Sequence, residues 1–101
     1  MHSSGLSEIE VEKIRQVFSK YNEIESVILY GSRATGKFEQ SSDIDLTILG
    51  NNIDSNILSE VEFELDDLLL PYKIDINLFH RINNTELVDH IKRVGVVFYQ
   101  V

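Results

Sequence analysis

Apolar positions recur along the chain with two different spacings, and the switches between them lay out the elements. Val11, Ile14, Phe18 and Tyr21 fall at i, i+3, i+7 and i+10, the interval that gathers side chains on one helix face. Ser7 is followed three residues later by Glu10, the pattern of a capping box, so the spacing predicts a first helix over 7–21. The run SVILY at 26–30 is apolar, contains β-branched residues and is stopped by Gly31, which predicts a short buried strand. Residues 31–42 are polar, contain two glycines and read as a loop.

Strict alternation returns at 43–49, where Asp43 and Asp45 interleave with aliphatic residues, as in a strand with one polar and one buried face. Gly50, Asn51 and Asn52 end it. Ile57, Leu58, Val61, Leu65, Leu68 and Leu69 then form a helical stripe over 54–70, with Asp54 or Ser55 as N-cap and Pro71 as stop. KIDINLF at 73–79 predicts a third strand, with Ile74, Ile76 and Leu78 on one face and Asp75 and Asn77 on the other. Asn84 or Thr85 caps a last helix through Arg93, with Leu87, Val88 and Ile91 inward and Gly95 closing it. The tail VVFYQV reads as an edge strand. The order is helix, strand, loop, strand, helix, strand, helix, an α+β arrangement with no internal repeat or linker.

Composition narrows this picture. A chain of 101 residues has room for one domain with a modest core. Its 43% hydrophobic and 26% charged residues place it among folded rather than disordered chains. Nine basic against seventeen acidic residues give a net charge of −8, which repels a phosphate backbone and argues against bulk nucleic-acid binding. The same excess suits a divalent cation or a basic protein surface, or serves solubility alone. The absence of cysteine excludes disulfides and thiolate chemistry and fits a cytoplasmic location. Apolar runs fall far short of the roughly 18 to 20 residues of a membrane span, and the start lacks a signal-peptide pattern. Residues 1–6 read as a flexible end or an expression remnant, with no role for His2, and residues 7–101 as the domain.

The chemistry concentrates between Leu29 and Leu49. Gly31, Gly36 and Lys37 almost spell a phosphate-binding P-loop, but Phe38 stands where the magnesium-holding hydroxyl belongs. The few residues between Lys37 and the next strand also leave no room for the long helix such a loop requires. Asp43 and Asp45 explain the stretch better. At i and i+2 in a strand they project from one sheet face about 6.5 to 7 Å apart, and two such anions repel unless a cation sits between them. Magnesium takes oxygen ligands and shares its shell with substrate phosphates. Asp75 has the same polar-face pattern, so neighbouring strands would bring three acids together, a set suited to two-metal nucleotidyl transfer.

Alternating strands often carry solvent-facing aspartates, and a lone D-x-D pair would mean little. Its weight comes from the Gly31-Ser32 turn directly after an apolar strand. Gly31 allows close backbone approach to phosphate, and Ser32 offers a hydroxyl and an amide. Arg33 and Lys37 are candidate triphosphate contacts, against the plainer reading of solvated loop cations. Ser42 is a candidate for capping or orienting Asp43, or for a direct nucleotide contact. His80 and His90 lie on different elements without ligand spacing and read as surface residues. The acids of the 54–70 helix read as a solvated face, and Tyr21, Tyr30, Tyr72 and Tyr99 as core or rim aromatics.

On these residues, GSRATGKFEQSSDIDLTIL resembles the G-S-x-x-x-G…S-D-[IL]-D-[LI] signature of nucleotidyltransferases related to DNA polymerase beta and kanamycin nucleotidyltransferase. The whole chain is similar to their minimal nucleotidyltransferase (MNT) branch. The resemblance implies a small mixed β-sheet of three core strands plus an edge strand, flanked by helices, with an NTP, most simply ATP, and Mg2+ or Mn2+ at the site. It assigns Gly31 and Ser32 to phosphate, Asp43 and Asp45 to metal, and Asp75 to the third acid. Arg33 matches a position often basic in that branch. MNT proteins are commonly paired with a small helical protein of the HEPN or substrate-binding-subunit kind, often as a toxin-antitoxin module. There the MNT member transfers AMP to a tyrosine of its partner. A binding-only or nucleotide-sensing subunit and a small-molecule, antibiotic-type transferase are the rival readings.

Overall fold

The computed structural model describes residues 4–101; residues 1–3, and with them His2, lie outside the described residues. Helix α1 spans Glu8–Ser19 and begins at a complete capping box, the Ser7 hydroxyl accepting from the Glu10 amide while the Glu10 carboxylate accepts from the Ser7 amide. Strand β1 (Ile24–Tyr30) follows, then one helical turn, α2 (Ser32–Thr35), where a plain loop was expected. Strand β2 (Ile44–Gly50), helix α3 (Ser55–Asp67), strand β3 (Ile74–Leu78), a 3-10 turn at Phe79–Arg81, helix α4 (Thr85–Val94) and strand β4 (Val96–Gln100) complete the chain.

The sheet order is β3-β2-β1-β4. β1 runs antiparallel to both β2 and β4, and β2 runs parallel to β3, so the sheet is mixed. The tail is an edge strand, as its pattern predicts, and β3 forms the opposite edge. The parallel step requires a crossover, which α3 supplies. Period two then sorts the strands into two faces. Val27, Leu29, Ile44, Leu46, Ile48 and Leu78 join Ile14, Val17 and Phe18 of α1 and Val61 and Leu65 of α3 in one core. Phe18 packs edge-on against Phe98, with ring centroids 6.4 Å apart, and ties α1 to β4.

Helix α4 packs on β1 from the other face, where Ile28 and Tyr30 project. That leaves the outer part of this face, beside Tyr30, to the acids. Asn84 caps α4 through its side chain. Gly95 ends the helix as its position suggests, but in extended rather than left-handed backbone.

Three expectations are corrected here. Leu69 does not join the stripe of α3. The helix ends at Asp67, and Leu69 turns left-handed (φ 55°) and is 86% exposed; Pro71 disfavours helical backbone at Leu70, so the helix cannot continue through it. Glu64 is not simply a solvated acid of α3, since it accepts from the Lys20 ammonium at 2.6 Å and from the Tyr21 hydroxyl, clamping α3 to the end of α1. Finally, residues 4–6 are not loose: Ser4 is buried, and Leu6 packs against the core. Among the described residues, no helix is long and apolar enough to cross a membrane.

Candidate active site

The parallel register places Asp45 of β2 directly beside Asp75 of β3, and the antiparallel register places Tyr30 of β1 on the other side of Asp45. One row of the sheet therefore reads Asp75, Asp45, Tyr30. Asp43 lies just before β2, and the amide of the intervening Ile44 is anchored to the Lys73 carbonyl at 2.9 Å. Asp45 is half-buried, and burial first, then the charges of Asp75 and Asp43, push its carboxyl above the usual carboxylate range, with His90 and Lys73 opposing. Asp75 forms a 3.6 Å ion pair with Lys73.

At the end of β1 the chain turns through Gly31 with φ 74°, a conformation costly for any residue with a Cβ. A Cβ built there would also overlap Asp45 Oδ2. The glycine is thus needed twice, for the left-handed turn and for the close approach of backbone to the acid. The turn is closed by the Gly31 carbonyl, which accepts from the amides of Ala34 and Thr35, and by the Ser32 carbonyl, which accepts from Lys37. Ser32 opens this turn and is half-exposed. Lys37 is exposed on the same turn.

Two of the expected nucleotide contacts, Arg33 and Ser42, are engaged with main-chain groups of the protein. Arg33 is 1% exposed. Its guanidinium donates to the carbonyls of Ser42 (3.1 and 2.9 Å), Gln40 (3.2 Å) and Ser4 (2.9 Å) and lies over the rings of Phe38 and Tyr72. A guanidinium occupied in this way faces the protein, not a phosphate. The Ser42 hydroxyl accepts from the Glu39 amide at 2.8 Å and closes the 39–42 turn.

The site also contains side chains that motif reading overlooked. His90, read from sequence as a surface residue, accepts the Gly31 amide on Nε2 at 3.2 Å and meets the Tyr30 ring edge-on. Its position three residues after Leu87 was the available signal, since that interval shares the inward face of α4. One row deeper than the acids, Thr47 and Asn77 are register partners. Asn77 donates to the Tyr30 hydroxyl at 2.8 Å, while Thr47 Oγ1 and Asn77 Oδ1 are buried without partners among the described residues. His80 is exposed and away from this row.

Among the described residues, no three carboxylates or imidazoles are arranged to hold a metal ion by themselves. Magnesium does not require such a cage, because it retains water and takes substrate phosphate oxygens beside one or two carboxylates. Adjacent hard oxygen donors, one of them disfavoured as a bare anion by its neighbours, fit a divalent cation of that kind.

Comparison with known proteins places the fold and the family. No curated protein matches the sequence. In fold, the chain is similar to a toxin-antitoxin complex crystallised with AMP-PNP, at TM-score 0.72 and 21% identity over 95% of this chain and 75% of the other. It is also similar to the toxin-antitoxin MntA-HepT, at TM-score 0.69 and 18% identity over 94% and 74%. A third likeness is to a tri-AMPylated Shewanella oneidensis HEPN toxin in complex with its MNT antitoxin, at TM-score 0.69 and 17% identity over 95% and 74%. Residues 12–101 match the profile of the family described as polymerase beta, nucleotidyltransferase, and the chain belongs to that nucleotidyltransferase family.

Proposed function

We propose that the chain transfers a nucleoside monophosphate, AMP from ATP, to a hydroxyl of a small helical partner protein, as the antitoxin of a HEPN/MNT-type pair in the cytoplasm. The observation that carries this reading is the juxtaposition of Asp45 with Asp75 in one row, with the Gly31 backbone against Asp45. Triphosphate lies along the Gly31-Ser32 turn, where the Ser32 hydroxyl and a side-chain-free approach are available, and Lys37 adds a mobile cation at its rim. Asp43 and Asp45 would hold the divalent cation, Mg2+ or Mn2+, with Asp75 as third ligand or as base. When bound, that cation neutralises the triphosphate and favours ionisation of the acceptor.

In the reaction the acceptor oxygen bonds to the α-phosphorus, the bond from that phosphorus to the bridging oxygen of the β-phosphate breaks, and pyrophosphate leaves. The acceptor proton passes to Asp75 when that residue acts as base. Ion pairing with Lys73 holds the Asp75 carboxylate at the row before substrate arrives. Membership of the nucleotidyltransferase family and fold similarity to complexes that include an AMP-PNP-bound and an AMPylated one support the choice of nucleotide and acceptor class. The test is AMP labelling of the co-expressed partner by wild type and by Asp43→Ala. Labelling by wild type alone is expected, and labelling that survives the substitution removes Asp43 from the site.

A further inference from the structure

We infer that Arg33 is a positioning residue for Asp43 at the entry to β2, and that the N-terminal segment around Ser4 and Gly5 completes its setting. The inference rests on the transfer reading for its kinetic consequence but not for its geometry. Arg33 sits in the one-turn helix directly after Gly31 and Ser32, yet its guanidinium reaches across to the backbone that enters β2. Two of its nitrogens converge on the carbonyl of Ser42, the residue immediately before Asp43, and a third contact fixes Gln40. The phosphate turn and the metal-side acid are thereby tied through one side chain.

Burying a cation is costly unless its donors are satisfied. Among the described residues no carboxylate forms an ion pair with this guanidinium; main-chain carbonyls and two ring faces stabilise it. One of those carbonyls belongs to Ser4, itself 4% exposed. Gly5 follows with φ 80°, and a Cβ there would overlap the Phe38 ring and Arg33 Nη1. The chain therefore passes against the guanidinium at a distance only glycine allows. A planar fork holding three segments in register is work that lysine cannot do, because its ammonium is a single point charge. The segment that looked dispensable in sequence thus joins the lining of the catalytic loop.

Arg33→Lys and Gly5→Ala test this in the full chain, by hydrogen exchange and by steady-state AMP transfer from ATP. Both variants are expected to speed exchange of the Glu39 and Ser42 amides, which are held within the turn, while the β2 amides keep their protection. Both are expected to lower kcat about 10- to 100-fold, the scale of a misplacement of order 1 Å, and to change KM for ATP by less than about threefold, since a transition-state group has moved rather than a phosphate contact. A rise in KM with loop exchange unchanged would show that Arg33 binds phosphate and overturn the inference. Faster exchange with unchanged kcat would overturn it too, leaving only a stabilising role. If Arg33→Lys does not fold, Gly5→Ala decides alone. If the wild type transfers nothing, the proposed function fails separately, and Mn2+ binding followed by water proton relaxation decides. Affinity weakened about tenfold in Gly5→Ala, the scale for loss of support behind a ligand, sustains the inference, and unchanged affinity overturns it.

Discussion

Asp45 and Asp75 are register partners on adjacent parallel strands, and this one pairing brings two separate sequence motifs side by side. Neighbouring strands lie about 4.8 Å apart, so the two carboxylates face the same small volume. Their mutual repulsion is visible in Asp45, whose carboxyl is pushed up by burial and then by Asp75 and Asp43. A fold that retains such a pair has an unfavourable charge arrangement that a bound cation relieves.

Gly31→Ala should damage stability and activity together. Left-handed backbone costs a residue with a Cβ about 1–3 kcal/mol, and here the added methyl also displaces the Asp45 carboxylate. Urea denaturation should show a loss of at least that order, with transfer abolished. Full activity at unchanged stability would mean that the turn relaxes freely.

His90→Ala removes the acceptor of the Gly31 amide. Transfer is expected to fall about tenfold, within the range for loss of a group that orients a site, and His90→Gln should restore part of it by supplying a carbonyl oxygen. Equal activity in all three proteins would reduce the contact to packing.

Thr47→Val replaces a buried hydroxyl that has no partner among the described residues by a methyl of similar shape. Removing an unpaired buried polar group is expected to leave stability unchanged or raise it by up to about 1 kcal/mol. Thermal denaturation that instead shows a loss of that size would demonstrate that the hydroxyl is satisfied in solution.

The Tyr21–Glu64 clamp predicts a pH profile. Hydrogen bonds first from Lys20 and then from Tyr21 hold the Glu64 carboxyl below its ordinary 4.5, so its stabilisation is present above that value and is lost as pH falls through the depressed one. Burial first, then the bond to Glu64, push the Tyr21 phenol from 10.0 up to about 12. The stabilisation of its neutral form is complete below 10.0 and is lost as pH rises toward about 12. Tyr21→Phe should cost on the order of 1 kcal/mol at neutral pH and shallow the profile at both ends. Some alkaline loss should remain, because burial also raises Tyr30 and Tyr72. Denaturation midpoints across pH that coincide with wild type at both ends would refute the clamp.

Local patterns carried much of this structure. Alternation in DIDLTIL and KIDINLF marked β2 and β3 and assigned their polar faces, and a Ser7/Glu10 box marked the start of α1, because these features depend on neighbours within a few residues. The register that sets Asp45 beside Asp75 was not legible, since it is fixed by how α3 crosses over and packs. Arg33 showed the limit most plainly. Its residue type suggested a phosphate contact, but its surroundings come from Ser4, Phe38, Ser42 and Tyr72, which only the folded chain assembles. Leu69 has an apolar residue type that fits the stripe of α3, but it lies beyond the end of the helix in left-handed backbone.

The most direct test of the central claim compares ATP labelled at the α-phosphate with ATP labelled at the γ-phosphate, incubated with the protein, its partner and Mg2+. Nucleotidyl transfer at the Asp43, Asp45 and Asp75 site predicts that the partner acquires the α-label and not the γ-label, with pyrophosphate released, and that Asp45→Asn abolishes this. Incorporation of the γ-label, or α-labelling that persists in Asp45→Asn, would contradict it.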